Sequence, residues 1–279
     1  MNKILFALFV SILTLNTCRS QDEQFGQVVF DENERTQEAI DEILTIKSIN
    51  NSVFDSSVYL SSEYVELKYR IFRPSQRQLG DVYPLVIVYH GSAGIGVDNQ
   101  SQLRLFQKLF VSPKIQTEYP AYVLAPQFST RSSDYSIDTT RNLLVSASNS
   151  CLHPLFDLID SLKLNMNIDS NRIYLVGYSM GGSTVINSLS KRPDLFAAGI
   201  SISGVPQFDD LEVLSEIPIW LIHGTNDLVN PIDSDEQLFA EISDNIRFWK
   251  LKGKSHDDIV TQHLLGSTLP KWLFKQIKK

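Results

Sequence analysis

Apolar residues run along this chain in two rhythms. Short continuous runs rich in Val, Ile and Leu recur at residues 85–90, 121–126, 173–178, 196–203, 217–223 and 246–251. Such runs predict strands buried on both faces, as in a parallel sheet. Between them apolar positions fall at helical spacing, as at Leu155, Leu158, Ile159 and Leu162, and again over residues 184–189. Two earlier stretches, 58–60 and 65–72, alternate instead and predict an antiparallel strand pair, which Arg73-Pro74 and the polar run to Asp81 terminate. Ala39, Ile40, Ile43, Leu44 and Ile46 predict a short helix at the domain edge, and residues 264–277 close the chain with an amphipathic pattern interrupted by Pro270. Strands alternating with helices build βαβ units. The expected fold is therefore α/β, with a mostly parallel central sheet flanked by helices and an antiparallel strand pair near the N-terminus.

The N-terminal pattern is of another kind. Lys3 precedes an apolar stretch from Ile4 to Leu15, interrupted only by Ser11 and Thr14. That is short for a membrane span and right for a secretory signal over residues 1–17. Cys18 ends Leu15-Asn16-Thr17-Cys18, a loose version of the box in which the cysteine becomes a lipidated N-terminus, although Asn16 and Thr17 are not the small apolar residues such a box prefers. Residues 18–57 are expected to be a polar, acid-rich spacer with the short edge helix, and residues 58–279 the catalytic domain. The expected location is outside the cytoplasm: periplasmic, outer-membrane lipoprotein or extracellular, with membrane contact only through the candidate anchor at Cys18. The net charge of −7, without a basic stripe, argues against nucleic acid as partner. Cys151 is the second of two cysteines, so no disulfide scaffold is expected.

Chemistry enters at the ends of the predicted strands, where α/β sheets carry their functional groups. The run Ile173-Tyr174-Leu175-Val176 leads into Gly177-Tyr178-Ser179-Met180-Gly181-Gly182, a G-x-S-x-G turn between a strand and a helix. A nucleophile on so sharp a turn needs flanking residues with almost no side chain, and Gly177 and Gly181 supply them. Past Leu221-Ile222-His223 comes Gly224-Thr225-Asn226-Asp227, and past the last strand comes Lys252-Gly253-Lys254-Ser255-His256. The order Ser179, Asp227, His256 is nucleophile, acid, base. A serine hydroxyl is a poor nucleophile until a base takes its proton, and an imidazole needs a carboxylate to fix its tautomer. Two backbone N–H groups are expected to form the oxyanion hole: Met180, after the nucleophile, and Ser92, in the loop after the early strand, with His90 and Gly91 supporting it. Other residues have plainer readings. His223 reads as core, His153 and His263 as surface or packing, and Asp233 and Asp235 as helix-start residues, while Asp257 and Asp258 are alternative acids too close to His256 in sequence to accept from its ring. No metal-ligand spacing and no cofactor motif are present.

Tyr83-Pro84-Leu85-Val86-Ile87-Val88-Tyr89-His90-Gly91, Leu124-Ala125-Pro126-Gln127, Asn171 to Gly182, Pro193-Asp194-Leu195-Phe196-Ala197-Ala198 and His223-Gly224-Thr225-Asn226-Asp227 together resemble the α/β-hydrolase superfamily. More narrowly they are similar to its secreted esterase branch, which includes feruloyl-esterase-like, polyhydroxybutyrate-depolymerase-like and peptidase or phospholipase-carboxylesterase-like proteins. The resemblance spans about residues 58–279 and implies Ser179, Asp227 and His256 as the triad. Ser92-Ala93-Gly94 departs from the charged or glycine-richer loop of many relatives. The expected activity is a serine hydrolase cleaving short-chain or glycan-linked carboxylic esters through an acyl-enzyme. A peptidase of the same fold, an acyltransferase and a non-catalytic binding protein are the alternatives. Residues 127–142 and 205–215 are expected to shape the pocket mouth, with Phe128, Tyr135 and Tyr178 as an aromatic platform or as packing.

Overall fold

The computed structural model of the protein describes residues 25–32, 34–63, 65–74 and 80–278; the expected signal and Cys18 lie outside them. Each continuous apolar run is a strand. The strands are β1 (Gln27–Asp31), β2 (Asp55–Leu60), β3 (Glu66–Phe72), β4 (Tyr83–Tyr89), β5 (Tyr122–Gln127), β6 (Ser133–Asp138), β7 (Leu143–Ser148), β8 (Ile168–Tyr178), β9 (Ala198–Ile202), β10 (Ile219–Gly224) and β11 (Ile246–Leu251). The helices are α1 (Gln37–Ser48), α2 (Leu105–Phe110), α3 (Pro113–Glu118), α4 (His153–Asn165), α5 (Met180–Lys191), α6 (Leu211–Ser215), α7 (Asp233–Ile242), α8 (Gln262–Leu265) and α9 (Thr268–Leu273). Pro270 does not stop α9, because it stands in the first turn, where its missing N–H would have no helical acceptor anyway.

Among the described residues nine strands form one sheet in the order β1-β11-β10-β9-β8-β4-β5-β3-β2. The pairs β2–β3 and β3–β5 are antiparallel, and the other neighbours run parallel. Both faces of the sheet are covered, and the two-residue side-chain period of each strand divides its apolar run between them. Val86, Val88, Tyr174, Val176, Ile200, Trp220 and Ile222 pack with α1, α2, α8 and α9. Leu85, Ile87, Ile173, Leu175, Ile219 and Leu221 pack with α4, α5 and α7. The central strands β4, β8, β9 and β10 are thus fixed from above and below, and residues at their carboxyl ends inherit that rigidity.

Two expectations are corrected. The segment 18–57 is not a spacer over its described part, since β1 pairs in parallel with the edge of β11, from Gln27 opposite Arg247 to Asp31 opposite Leu251. An edge strand is held by backbone hydrogen bonds and needs apolar side chains on one face only, so its acid-rich surroundings concealed it. The expected helix in this segment is present as α1 and buries Ala39, Ile43 and Ile46. The stretch 127–142 is not a loop throughout. Its second half begins a separate β6–β7 hairpin whose Ser132 and Ser133 hydroxyls lie 2.7 and 3.1 Å from Thr184 Oγ1 of α5. Asn187 Nδ2 donates to Ser133 Oγ and Ser146 Oγ across the same seam. A Ser/Thr-rich composition reads as solvated loop, but here the hydroxyls pair with the polar side of a helix.

Candidate active site

Strand β8 ends and α5 begins around one residue, Ser179, whose backbone sits at φ 58° and ψ −125°. A non-glycine residue at positive φ costs on the order of 1–3 kcal/mol and persists only where its surroundings impose it. Here the imposition is close packing. A Cβ on Gly177 would lie 2.1 Å from the Gly181 carbonyl oxygen, and a Cβ on Gly181 would lie 2.7 Å from the Tyr89 carbonyl oxygen. The first turn of α5 is therefore drawn against the ends of β8 and β4 at a distance that only glycine permits. The Ser179 N–H donates to Ile202 O at 2.8 Å, which ties the turn to β9 as well.

The three residues expected to cooperate are brought together. Ser179 Oγ is 2.9 Å from His256 Nε2, and His256 Nδ1 is 2.6 Å from Asp227 Oδ2. Since a carboxylate only accepts, Nδ1 carries the proton and Nε2 is left to accept from the serine hydroxyl. Asp227 Oδ1 accepts the N–H groups of Val229 and Asn230, both at 2.9 Å. Burial opposes ionisation of Asp227, but hydrogen bonds from His223, His256 and Asn230 outweigh it and hold the carboxyl below the usual carboxylate range. Tyr178 lies along the imidazole, 5.1 Å between ring centres, and its hydroxyl donates to the His256 carbonyl oxygen at 2.9 Å. The alternative acids are turned away: Asp258 accepts from Ser255 Oγ and pairs with Arg35, and Asp257 is exposed.

The loop after β4 lies against Ser179. A Cβ on Gly91 would sit 3.4 Å from Ser179 Cβ, and Ser92 opens the short helical turn that follows. His90 is buried beneath this loop. Its Nδ1 donates to the Gly91 carbonyl oxygen at 2.8 Å, and its Nε2 accepts the Phe128 N–H at 3.0 Å. That is a neutral ring, and burial, with Arg104 adding to it against the Gly91 bond, pushes its pKa down to about 4. Met180 is the first residue of α5, and N–H groups at that end of a helix have no acceptor within it. Of the three aromatics, Phe128 is packing, 5.5 Å from the His90 ring. Tyr135 bonds Ser183 Oγ at 2.9 Å, and Tyr178 alone borders the triad.

Sequence reasoning missed two sets of residues. Asp98, Asn99 and Gln127 hold the loop after β4: Gln127 Nε2 donates to Asp98 Oδ1 at 2.7 Å, and Gln127 Oε1 accepts the Asn99 N–H at 2.5 Å. Gln127 stood at a strand end and closed the Leu124-Ala125-Pro126-Gln127 motif, but nothing in the sequence tied it to Asp98 or Asn99. The second set is His223 and Asp235. Asp235 does stand in the first turn of α7, but it is wholly buried and its Oδ2 lies 2.7 Å from His223 Nδ1. Acidic residues are common at helix starts, so nothing in the sequence distinguished this one.

A cleft of about 640 Å³ reaches Tyr178 and Asp257, the chain neighbours of Ser179 and His256. Arg104, Phe106, Lys108 and Val260 line it further out. Among the described residues no helix is long and apolar enough to cross a membrane.

The mostly parallel strand order, with a tight strand-to-helix turn at Ser179 and with Asp227 and His256 past later strand ends, is that of the α/β-hydrolase fold, and known proteins agree. Residues 148–248 match the prolyl oligopeptidase family. Over 70 residues, 25% of this chain and 10% of the relative, the chain is 39% identical to the bifunctional acetylxylan esterase/xylanase XynS20E of Neocallimastix patriciarum. The solved structure of a thermostable esterase superposes with a TM-score of 0.72 at 28% identity, covering 81% of this chain and 64% of that one. The ferulic acid esterase AmCE1/Fae1A of Anaeromyces mucronatus superposes with a TM-score of 0.55 at 16% identity, covering 79% of this chain and 88% of that one. The chain thus spans about a tenth of the curated relative and under two thirds of the thermostable esterase.

Proposed function

We propose that this protein is a serine carboxylesterase. The observation that carries the reading is the continuous relay from Ser179 Oγ through the His256 ring to Asp227, with each contact at hydrogen-bond distance. Ser179 Oγ attacks the ester carbonyl carbon while His256 Nε2 takes its proton. Asp227 keeps the imidazole in the required tautomer and stabilises the imidazolium. The oxyanion is received by the N–H groups of Met180 and Ser92, a pair of donors whose preorganisation counts because charge develops there only in the transition state. Collapse expels the alkoxide, protonated by His256, and leaves an acyl-enzyme. Water then repeats the cycle on the acyl carbonyl, with His256 again base and acid, and frees the carboxylic acid.

The esterases among the similar proteins support ester cleavage, and the acetylxylan and ferulic acid esterase names support short-chain or glycan-linked esters as the substrate class. The prolyl oligopeptidase match over 148–248 favours a second reading, a peptidase of the same fold. Lys3 followed by the apolar stretch from Ile4 to Leu15 supports a secretory signal over residues 1–17 and hence export, with Cys18 as the proposed lipid attachment point. The test is a panel of p-nitrophenyl acyl esters and aminoacyl p-nitroanilides, with Ser179→Ala and fluorophosphonate labelling alongside. Ester turnover and labelling, both lost in Ser179→Ala, are expected. Turnover of anilides alone would select the peptidase, and a folded protein that neither reacts nor labels would be a binding protein.

A further inference from the structure

We infer that His223 and Asp235 form a second histidine–carboxylate pair that backs Asp227 and sets how strongly that carboxylate acts on His256. The inference rests on the triad assigned above and concerns how it is tuned.

The two imidazoles share one oxygen. Asp227 Oδ2 lies 2.6 Å from His256 Nδ1 and 3.3 Å from His223 Nε2. His223 Nε2 also lies 2.8 Å from the Asn230 carbonyl oxygen, and His223 Nδ1 lies 2.7 Å from Asp235 Oδ2. Every partner of this ring is an oxygen acceptor, unless Asp235 itself is protonated. A carbonyl cannot donate, so Nε2 must carry a proton. The contact at Nδ1 needs a second one, because a bare ring nitrogen facing an ionised carboxylate would set two lone pairs against each other. The His223–Asp235 pair therefore retains one proton more than a neutral imidazole beside a carboxylate would. Both side chains are wholly buried, and Asp235 Oδ1 has no hydrogen-bond partner among the described residues. The retained proton leaves the buried His223–Asp235 pair without net charge, which lowers the cost of burying it.

The surrounding charges are few. Asp227 faces the ring from the loop after β10 and Asp235 from α7, while Glu236 of α7 pairs outward with Lys250 of β11, and Asp257 and His256 belong to the loop beyond β11. Burial works against a charged His223, but the bonds from Asp227 and Asp235 exceed it and raise the histidine to about 10. For Asp235 burial is the larger influence and raises the carboxyl, as expected when one proton is shared between them.

The consequence falls on His256. The protonated His223 ring 3.3 Å from Asp227 Oδ2 offsets part of the negative charge that would otherwise stabilise the His256 imidazolium. His256 is then more easily kept neutral, the form a general base requires. His223 and Asp235 are positioning residues: they touch neither substrate nor serine and act through Asp227.

The test is the pH dependence of kcat/KM for p-nitrophenyl acetate in Asp235→Asn and in His223→Gln/Asp235→Asn. The first is isosteric and lets the amide donate to a neutral ring, and the second removes both buried partners together. In each the acid limb is expected to move up by about half to one pH unit, so that kcat/KM on that limb falls about three- to tenfold at unchanged KM. An acid limb that superimposes on the parent in a folded variant overturns the inference. Proton NMR of the unmutated protein reads the shared proton directly. Two far-downfield exchangeable signals are expected, of which only the His256–Asp227 signal disappears in Asp227→Asn; a single signal overturns the inference even if neither variant folds. Ser179→Ala separates the two levels. If it retains turnover, the triad itself is wrong; if it is inactive while the Asp235→Asn profile is unmoved, only the second pair is.

Discussion

Replacing Ser179 with glycine should remove activity and leave the fold more stable than replacing it with alanine. At φ 58° and ψ −125° the serine occupies a conformation that glycine adopts freely. Relief of that strain is worth on the order of 1–3 kcal/mol. Against this stands the greater unfolded-state freedom of glycine, about 0.5–1 kcal/mol. The Ser179–His256 hydrogen bond is lost as well, so the correct reference is Ser179→Ala, which loses the same bond and keeps the strain. The net difference between the two variants is then about 0–2.5 kcal/mol in favour of glycine. For a chain of this size about 2 °C of melting temperature corresponds to each kcal/mol, so Ser179→Gly should melt up to about 5 °C above Ser179→Ala. Calorimetry of the two variants measures the difference, and p-nitrophenyl acetate confirms that both are inactive. A glycine variant that melts below the alanine variant would mean that the turn holds Ser179 without strain.

Ser92→Pro deletes one N–H without removing any charged group, and proline suits the first position of the helical turn that Ser92 opens; kcat should fall about 10²–10³-fold with KM little changed if that N–H receives the oxyanion. Gly177→Ala places a methyl 2.1 Å from a backbone oxygen; overpacking of this kind costs about 1–3 kcal/mol or more, read as a lowered denaturant midpoint. Because the folded pKa of His223 is raised to about 10, the stability it contributes is complete below its unfolded value, about 6.5, and is lost as pH rises toward the folded one. Chemical denaturation between these limits should show that alkaline loss in the parent and a flatter profile in Asp235→Asn.

Much of this molecule was legible before its structure. The strands β4, β5, β8, β9, β10 and β11 announce themselves because a strand covered on both faces must be apolar at nearly every position. Ser179, Asp227 and His256 could be picked out because strand ends in such sheets face one common edge, so order along the chain translates into neighbourhood in space. Gly177 and Gly181 were legible for a steric reason that is purely local.

What tertiary structure alone decided has the opposite character. Strand β1 is an edge strand, stabilised by the backbone of β11, and backbone pairing leaves little imprint on side-chain composition. The β6–β7 hairpin looked like solvated loop because its hydroxyls find Thr184 and Asn187 on α5 only after folding. Asp235 looked like any acid at a helix start until α7 carried it against His223, twelve residues away and wholly buried. Periodicity reports which positions shun water, and so this sequence by itself determined the sheet, its core and the strand ends at which Ser179, Asp227 and His256 meet. Which buried polar groups satisfy one another depends on distances between elements, and only the folded chain settles those.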